Sequence, residues 1–367
     1  MQTQLCASMK TIFANFNAIP IVVIAFLFPV VLETEAEPFT NTSPMITAHA
    51  GHMATLLRDG NVLFAGGDGK DSGNPIAEAE IYNPVTKTWT KTGTLKVARR
   101  NSAAISLPNG KALVVGGYDG KDNLSSAELY NPITGEWTTT GTMNTNRSSL
   151  TVTLMTDGQV LAVGGDGGGN SAEIFNPKTE KWMLTGSMNN ERLFHSATLL
   201  PNGKILVAGG GGNTAELFDP ATRTWKLTGS MISQHDFHTA TLLPNGKVLV
   251  TGGGSFFNSA LAASEIYDPA TEKWTLTGSL NFARGWHTAT LLKSGQVLVT
   301  GGYNVNAGYL DSAEIYNPAS GKWTKAGNME NTRRFSSATL LSDGAVIVAG
   351  GVGNGRCLAS VEIFRIK

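Results

Sequence analysis

The sequence predicts an all-β protein, a seven-bladed β-propeller built of four-stranded antiparallel blades. Three observations carry that prediction. A short apolar run ends in Gly-Gly seven times, at Gly66-Gly67, Gly116-Gly117, Gly164-Gly165, Gly209-Gly210, Gly252-Gly253, Gly301-Gly302 and Gly350-Gly351, in steps of 50, 48, 45, 43, 49 and 49 residues. Each pair closes a short apolar run such as Val248-Leu249-Val250, and an aromatic residue followed by a Trp comes after the pair in nearly every copy. The composition, with 43 glycines and only 15% charged residues, suits short strands and tight turns better than amphipathic helices. A self-similar period of this size marks one small unit copied around an axis, so the 367 residues are read as one repeat domain behind a leader, not as two or three domains.

Residues 1–36 stand outside the period. Met9-Lys10 makes a weakly basic start, Ile19 to Leu32 is uncharged and rich in Ile, Val and Phe, and Thr34-Glu35-Ala36 offers small residues at the cleavage-determining positions. A secretory signal is expected over 1–36, with the folded domain over 37–367. The alternative, a retained membrane anchor, is disfavoured because the apolar stretch is short of the roughly 20 residues that span a bilayer and contains Pro20 and Pro29. Cys6 would leave with the leader and Cys357 would stand alone, so no disulfide within the mature chain is expected.

The unit itself is clearest in its sixth copy. Trp286 to Leu292 reads as a strand, Lys293-Ser294-Gly295-Gln296 as a hairpin turn, and Val297 to Gly302 as the returning strand. After a variable loop, Ser312 to Pro318 forms a third strand ended by Asn-Pro, and Gly321-Lys322-Trp323-Thr324 leads into a fourth. Four strands per period, named A to D from the axis outward, describe a propeller blade. The last copy stops at Phe364-Arg365-Ile366-Lys367, one strand short. The N-terminal segment 38–45 supplies it, because Phe39 lies 50 residues before Trp89 in the same register. Joining ends this far apart costs about 5 kcal/mol of loop entropy, which the strand ladder and burial of Phe39 must offset.

These residues resemble the Kelch repeat family. The aromatic site is held by Tyr82, Tyr130, Phe175, Phe218, Tyr267, Tyr316 and Phe364, and the Trp site by Trp89, Trp137, Trp182, Trp225, Trp274 and Trp323. The resemblance covers the whole predicted mature chain and implies the closed propeller. Glycines and aromatics of the signature are read as structural, the former for positive φ and close approach, the latter for filling space between sheets.

A charged set recurs as well. Glu80, Glu128, Glu173, Glu216, Glu265, Glu314 and Glu362 open strand C, while Arg99, Arg147, Arg192, Arg284 and Arg333 precede strand A, with His49 and His235 in their place in two copies. A feature present in every blade reads as a structural brace. His52, His195, His238 and His287 follow three residues on. The His-x-x-His strings at His49/His52 and His235/His238 are not read as metal sites, since residues three apart on a strand face opposite ways. Calcium at the Asp-bearing loops (Asp68, Asp71, Asp119, Asp122, Asp166) is equally discounted in favour of turn chemistry, and no metal or cofactor is expected.

Function is sought where copies differ. The residue before the His position is Gly51, Asn101 and Ser149 in blades one to three but Phe194, Phe237, Trp286 and Phe335 in blades four to seven. With the loops between strands B and C adding Phe256, Phe257, Tyr303 and Tyr309, the candidate ligand residues are His235, Asp236, Phe256, Phe257, Arg284, Trp286, Tyr303 and Tyr309. They lie on the face carrying the B–C and D–A loops of blades four to seven.

A zero net charge with no Lys/Arg cluster excludes a nucleic-acid footprint. The expected function is an exported scaffold, secreted or periplasmic, that binds an extracytoplasmic protein or glycan, with no stable membrane span after signal cleavage. The alternative is a carbohydrate-active enzyme resembling a sialic acid mutarotase or, less so, galactose oxidase. The oxidase pattern is not met: there is no Tyr-His dipeptide, no spare Cys and no C-terminal domain in the sequence. No catalytic residue is assigned, and the scaffold is preferred to the enzyme.

Overall fold

The computed structural model describes residues 38–70, 73–255 and 260–366. The expected signal segment lies outside the described residues, as do Asp71, Phe256 and Phe257. Residues 37–367 form one compact unit. Seven antiparallel sheets of four strands make it up, each in the order A-B-C-D. Blade five, for example, runs Thr239–Leu242, Val248–Thr251, Ser264–Asp268 and Lys273–Leu276. The inner strands Met53–Leu56, Ala103–Ser106, Thr151–Leu154, Ser196–Leu199, Thr239–Leu242, Thr288–Leu291 and Ser337–Leu340 each pack on the next, and the last returns to the first.

Blade seven is completed from the other end of the chain. Phe39–Asn41 pairs with Val361–Phe364 in the register Phe39 to Phe364, Thr40 to Ile363 and Asn41 to Glu362. The strand is shorter than the 38–45 expected, because after Asn41 the chain leaves the sheet edge for the D–A loop, as it does after the equivalent Lys91 of blade one. Met45 instead turns inward and is buried.

Strand B is buried along its whole length in every blade, as in Val248–Thr251, because sheets on both sides cover it. That is why it reads as an unbroken apolar run. Cross-strand aromatic pairs join C to D, with ring centroids 5.0 Å apart in Tyr82–Trp89 and 5.1 Å in both Tyr316–Trp323 and Phe39–Phe364. Indole N–H groups tie neighbouring blades together: Trp137 donates to the Gly93 carbonyl at 2.8 Å, Trp274 to that of Gly229 at 2.7 Å, and Trp89 to that of Ser43 at 2.8 Å.

The second glycine of each pair donates its N–H to the next blade. Gly253 bonds the Arg284 carbonyl at 2.8 Å, and Gly351 bonds that of His49 at 2.8 Å. Gly253 has φ +81, and a Cβ there would meet the Asp236 carbonyl at 2.4 Å, so no side chain fits.

Candidate functional site

Beneath the face where strand A begins lies the brace. Arg99, Arg147, Arg192, Arg284 and Arg333 meet Glu128, Glu173, Glu216, Glu314 and Glu362 at 2.8, 3.1, 2.9, 3.0 and 2.7 Å, with the guanidinium groups shut off from solvent. Each Arg also donates to the carbonyl of the first glycine of its blade, as Arg284 does to Gly301 at 2.6 Å. The Glu carboxylates accept from the backbone of the D–A loop, as Glu314 does from Asn281 and Phe282 at 2.7 and 3.0 Å. His49 and His235 fill the Arg place: Nδ1 bonds the Gly66 and Gly252 carbonyls, and Nε2 faces Glu80 at 3.5 Å and Glu265 at 3.2 Å. Burial works to raise the carboxyls of Glu80, Glu216 and Glu265, yet their hydrogen bonds outweigh it and hold all three below the usual range. Arg284 and His235, both ligand candidates by sequence, therefore sit fully buried in the brace and present no surface to a ligand.

Above the brace the chain forms a collar. Gly51, Asn101, Ser149, Phe194, Phe237, Trp286 and Phe335 all have left-handed backbone, with φ between 51 and 59. Their backbones are linked head to tail around the axis: the N–H of Gly51 bonds the Phe335 carbonyl, Asn101 bonds Gly51, Ser149 bonds Asn101, Phe237 bonds Phe194, Trp286 bonds Phe237 and Phe335 bonds Trp286, at 2.8 to 3.4 Å. Holding bulky residues at positive φ costs free energy that Gly would avoid, which makes the aromatic half of this ring a deliberate feature.

The collar aromatics stack. Ring centroids are 4.0 Å apart in Phe194–Phe237 and 4.2 Å in Phe237–Trp286, while Phe335 meets Trp286 edge-on at 5.9 Å. A short hairpin, Tyr303–Asn304 with Gly308–Tyr309, leans on this stack, placing Tyr303 6.1 Å from Trp286 and 5.4 Å from Tyr309. Arg334 lies among them, with its guanidinium carbon 4.9 to 5.5 Å from the rings of Trp286, Tyr303, Tyr309 and Phe335. The structure thus brings Trp286, Tyr303 and Tyr309 together around a residue that sequence reasoning missed. Arg334 sits one place after the brace Arg333 and was hidden by it; the signal was its place before the left-handed residue, where the other blades carry Ala50, Arg100, Ser148, Leu193, Asp236 and Gly285.

The opposite half of the mouth is polar. Arg100 stacks on Tyr118 at 5.0 Å and pairs with Asp68 at 3.0 Å, and Asn123 donates to Asp166 at 3.0 Å. The B–C loops of blades three and four, 164–171 and 209–214, are shorter than those of the other blades, such as 66–78 and 252–263, so the wall of the mouth is lowest there. Asp236 borders that low wall. It is buried, accepts from Gln234 Nε2 at 3.2 Å, leaves Oδ1 without a partner among the described residues, and burial pushes its carboxyl up.

The four remaining histidines serve the scaffold. Nε2 of His52, His195, His238 and His287 bonds the hydroxyl of Ser337, Thr151, Ser196 and Thr239 in the preceding blade at 2.8 to 2.9 Å. Burial, aided by neighbouring Arg and His side chains, lowers His52, His195 and His287 to about 3 and His238 well below its ordinary value.

The chain matches the KLHDC2/KLHL20/DRC7 Kelch-repeats domain over residues 151–351 and the Kelch motif over residues 99–144. No curated protein matches it. Among solved structures it is similar to a fungal alcohol oxidase of the AA5 family in complex with copper, at TM-score 0.74 and 18% identity, covering 89% of this chain and 75% of that one. At that identity the likeness shows the fold alone. Among the described residues no three His, Cys, Asp or Glu side chains converge to hold an ion, and the four histidines just before the A strands bond hydroxyls through Nε2.

Proposed function

The chain belongs to the Kelch-repeat family, and on that scaffold we propose an exported binding module whose ligand, a protein or a glycan, sits on the mouth formed by the D–A and B–C loops of blades four to seven. One observation supports this reading above others. The collar position keeps the same strained backbone in all seven blades but carries four aromatics on one half and Gly51, Asn101 and Ser149 on the other. Scaffold needs are equal in every blade, so the asymmetry answers to something outside the scaffold. Partly exposed aromatics beside an Arg are also the residue types that dominate binding energy at interfaces.

Export is inferred from the signal expected over residues 1–36, and the ligand on this reading is met outside the cytoplasm. The test is a glycan and peptide array probed with the purified protein and with Trp286→Ala. Binding by the parent that the variant loses, at unchanged unfolding temperature, supports the module; binding indifferent to Trp286 removes it.

A carbohydrate-active enzyme is the second reading, favoured by Asp236, whose buried carboxyl is pushed up and has an oxygen without a partner among the described residues. Turnover of a sugar that Asp236→Asn abolishes would move the assignment there.

A further inference from the structure

The aromatic half of the mouth contains a cation that no described carboxylate neutralises. Arg334 makes no ion pair among the described residues, and its buried Nε has no acceptor there. Its counterpart across the mouth, Arg100, is matched by Asp68 at 3.0 Å. A guanidinium has five donors in a planar fork suited to a carboxylate, and ring faces replace none of those hydrogen bonds. A second observation concerns the tyrosines. The hydroxyls of Tyr82, Tyr118, Tyr130, Tyr267 and Tyr316 are hydrogen-bonded within the protein. Those of Tyr303 and Tyr309, which flank Arg334, have no bond among the described residues.

We propose that Arg334, with Tyr303 and Tyr309, forms the anchor for a carboxylated sugar unit, a hexuronate, at the aromatic half of the mouth. The inference rests on the reading of the mouth as a ligand surface. The fork of Arg334 takes the carboxylate and the two phenols take ring hydroxyls. The rings of Trp286 and Phe335 form an apolar wall, edge to face at 63°. An extended acidic peptide is the weaker fit, because the N–H and carbonyl groups of Trp286 and Phe335 are spent within the collar and offer it no main-chain partners.

Titration calorimetry of the purified protein at low salt tests this, with a hexuronic acid trisaccharide, the neutral hexose trisaccharide of the same linkage, and a Glu-rich peptide as probes. The uronate is expected to bind at least about tenfold tighter than the neutral sugar. Arg334→Gln abolishes that preference, Arg334→Lys recovers part of it, and Tyr303→Phe with Tyr309→Phe weakens uronate binding several-fold. Arg100→Gln, which removes a cation already paired, leaves the preference intact; if it erases the preference, a general field and not Arg334 is responsible. Equal binding of both sugars, unmoved by Arg334→Gln, overturns the anion anchor while leaving the mouth a binding surface. Binding of the peptide alone through Arg334 overturns the sugar class. Failure of all three probes to bind the parent overturns the inference, and the array above then decides whether the mouth binds anything.

Discussion

Phe39 lies 5.1 Å from Phe364, ring to ring, in the cross-strand position that a Tyr–Trp or Phe–Trp pair holds in the other six blades. This contact locks the first described strand to the last and makes the ring a closed body. Phe39 has no indole N–H, so the closing blade lacks the bond that Trp makes to a neighbouring blade elsewhere, and it depends more on burial.

Phe39→Ala is therefore expected to destabilise the protein by about 3 to 5 kcal/mol, the usual range for deleting a buried Phe. Urea unfolding of the parent and the variant measures it. A loss below about 1 kcal/mol would mean that the closing strand contributes little to stability.

The brace predicts an asymmetry between single and double changes. Arg147→Met strands the buried Glu173 carboxylate and should cost about 3 to 5 kcal/mol, whereas Arg147→Met with Glu173→Leu should cost less, because no charge is left unpaired. A double-mutant cycle on denaturant midpoints reads the difference; additive losses would contradict it.

Histidines set the acid limb of stability. In the unfolded chain an imidazole takes up its proton near 6.5, whereas His52, His195 and His287 do so in the fold only at about 3. Between those values the unfolded state binds more protons, so stability rises with pH. The melting temperature should thus be highest above 6.5 and fall steadily as pH drops from 6.5 toward 3, with Glu80, Glu216 and Glu265 adding to the loss below their ordinary 4.5. His195→Gln should flatten the first part of that fall, between pH 6.5 and 4.5.

Left-handed backbone at Ser149, φ 53, should tolerate Gly and resist a β-branched residue. Ser149→Gly is expected to change stability by less than about 1 kcal/mol, and Ser149→Val to cost about 2 kcal/mol. Thermal melts of the two variants, compared with the parent, check the order.

Much of this protein was legible along the chain because its scaffold is written in period. Gly252-Gly253, Tyr267 and Trp274 recur as equivalents in each blade, and the missing Trp of the last copy announced that Phe39 would take its place. Local pattern suffices for such features: strand alternation, turn residues and the close approach that only Gly permits act over a few residues.

The mouth was decided by tertiary structure. Arg284 and Arg334 are both Arg residues of D–A loops, yet one is sealed against Glu314 at 3.0 Å and the other stands among four rings. Their places in the repeat differ by one, since Arg284 holds the brace position of Arg333 and Arg334 stands one residue on, before the left-handed Phe335. What the sequence could not show is the surroundings of Arg334, because ring curvature brings Trp286, Tyr303 and Tyr309 of blade six against Arg334 and Phe335 of blade seven.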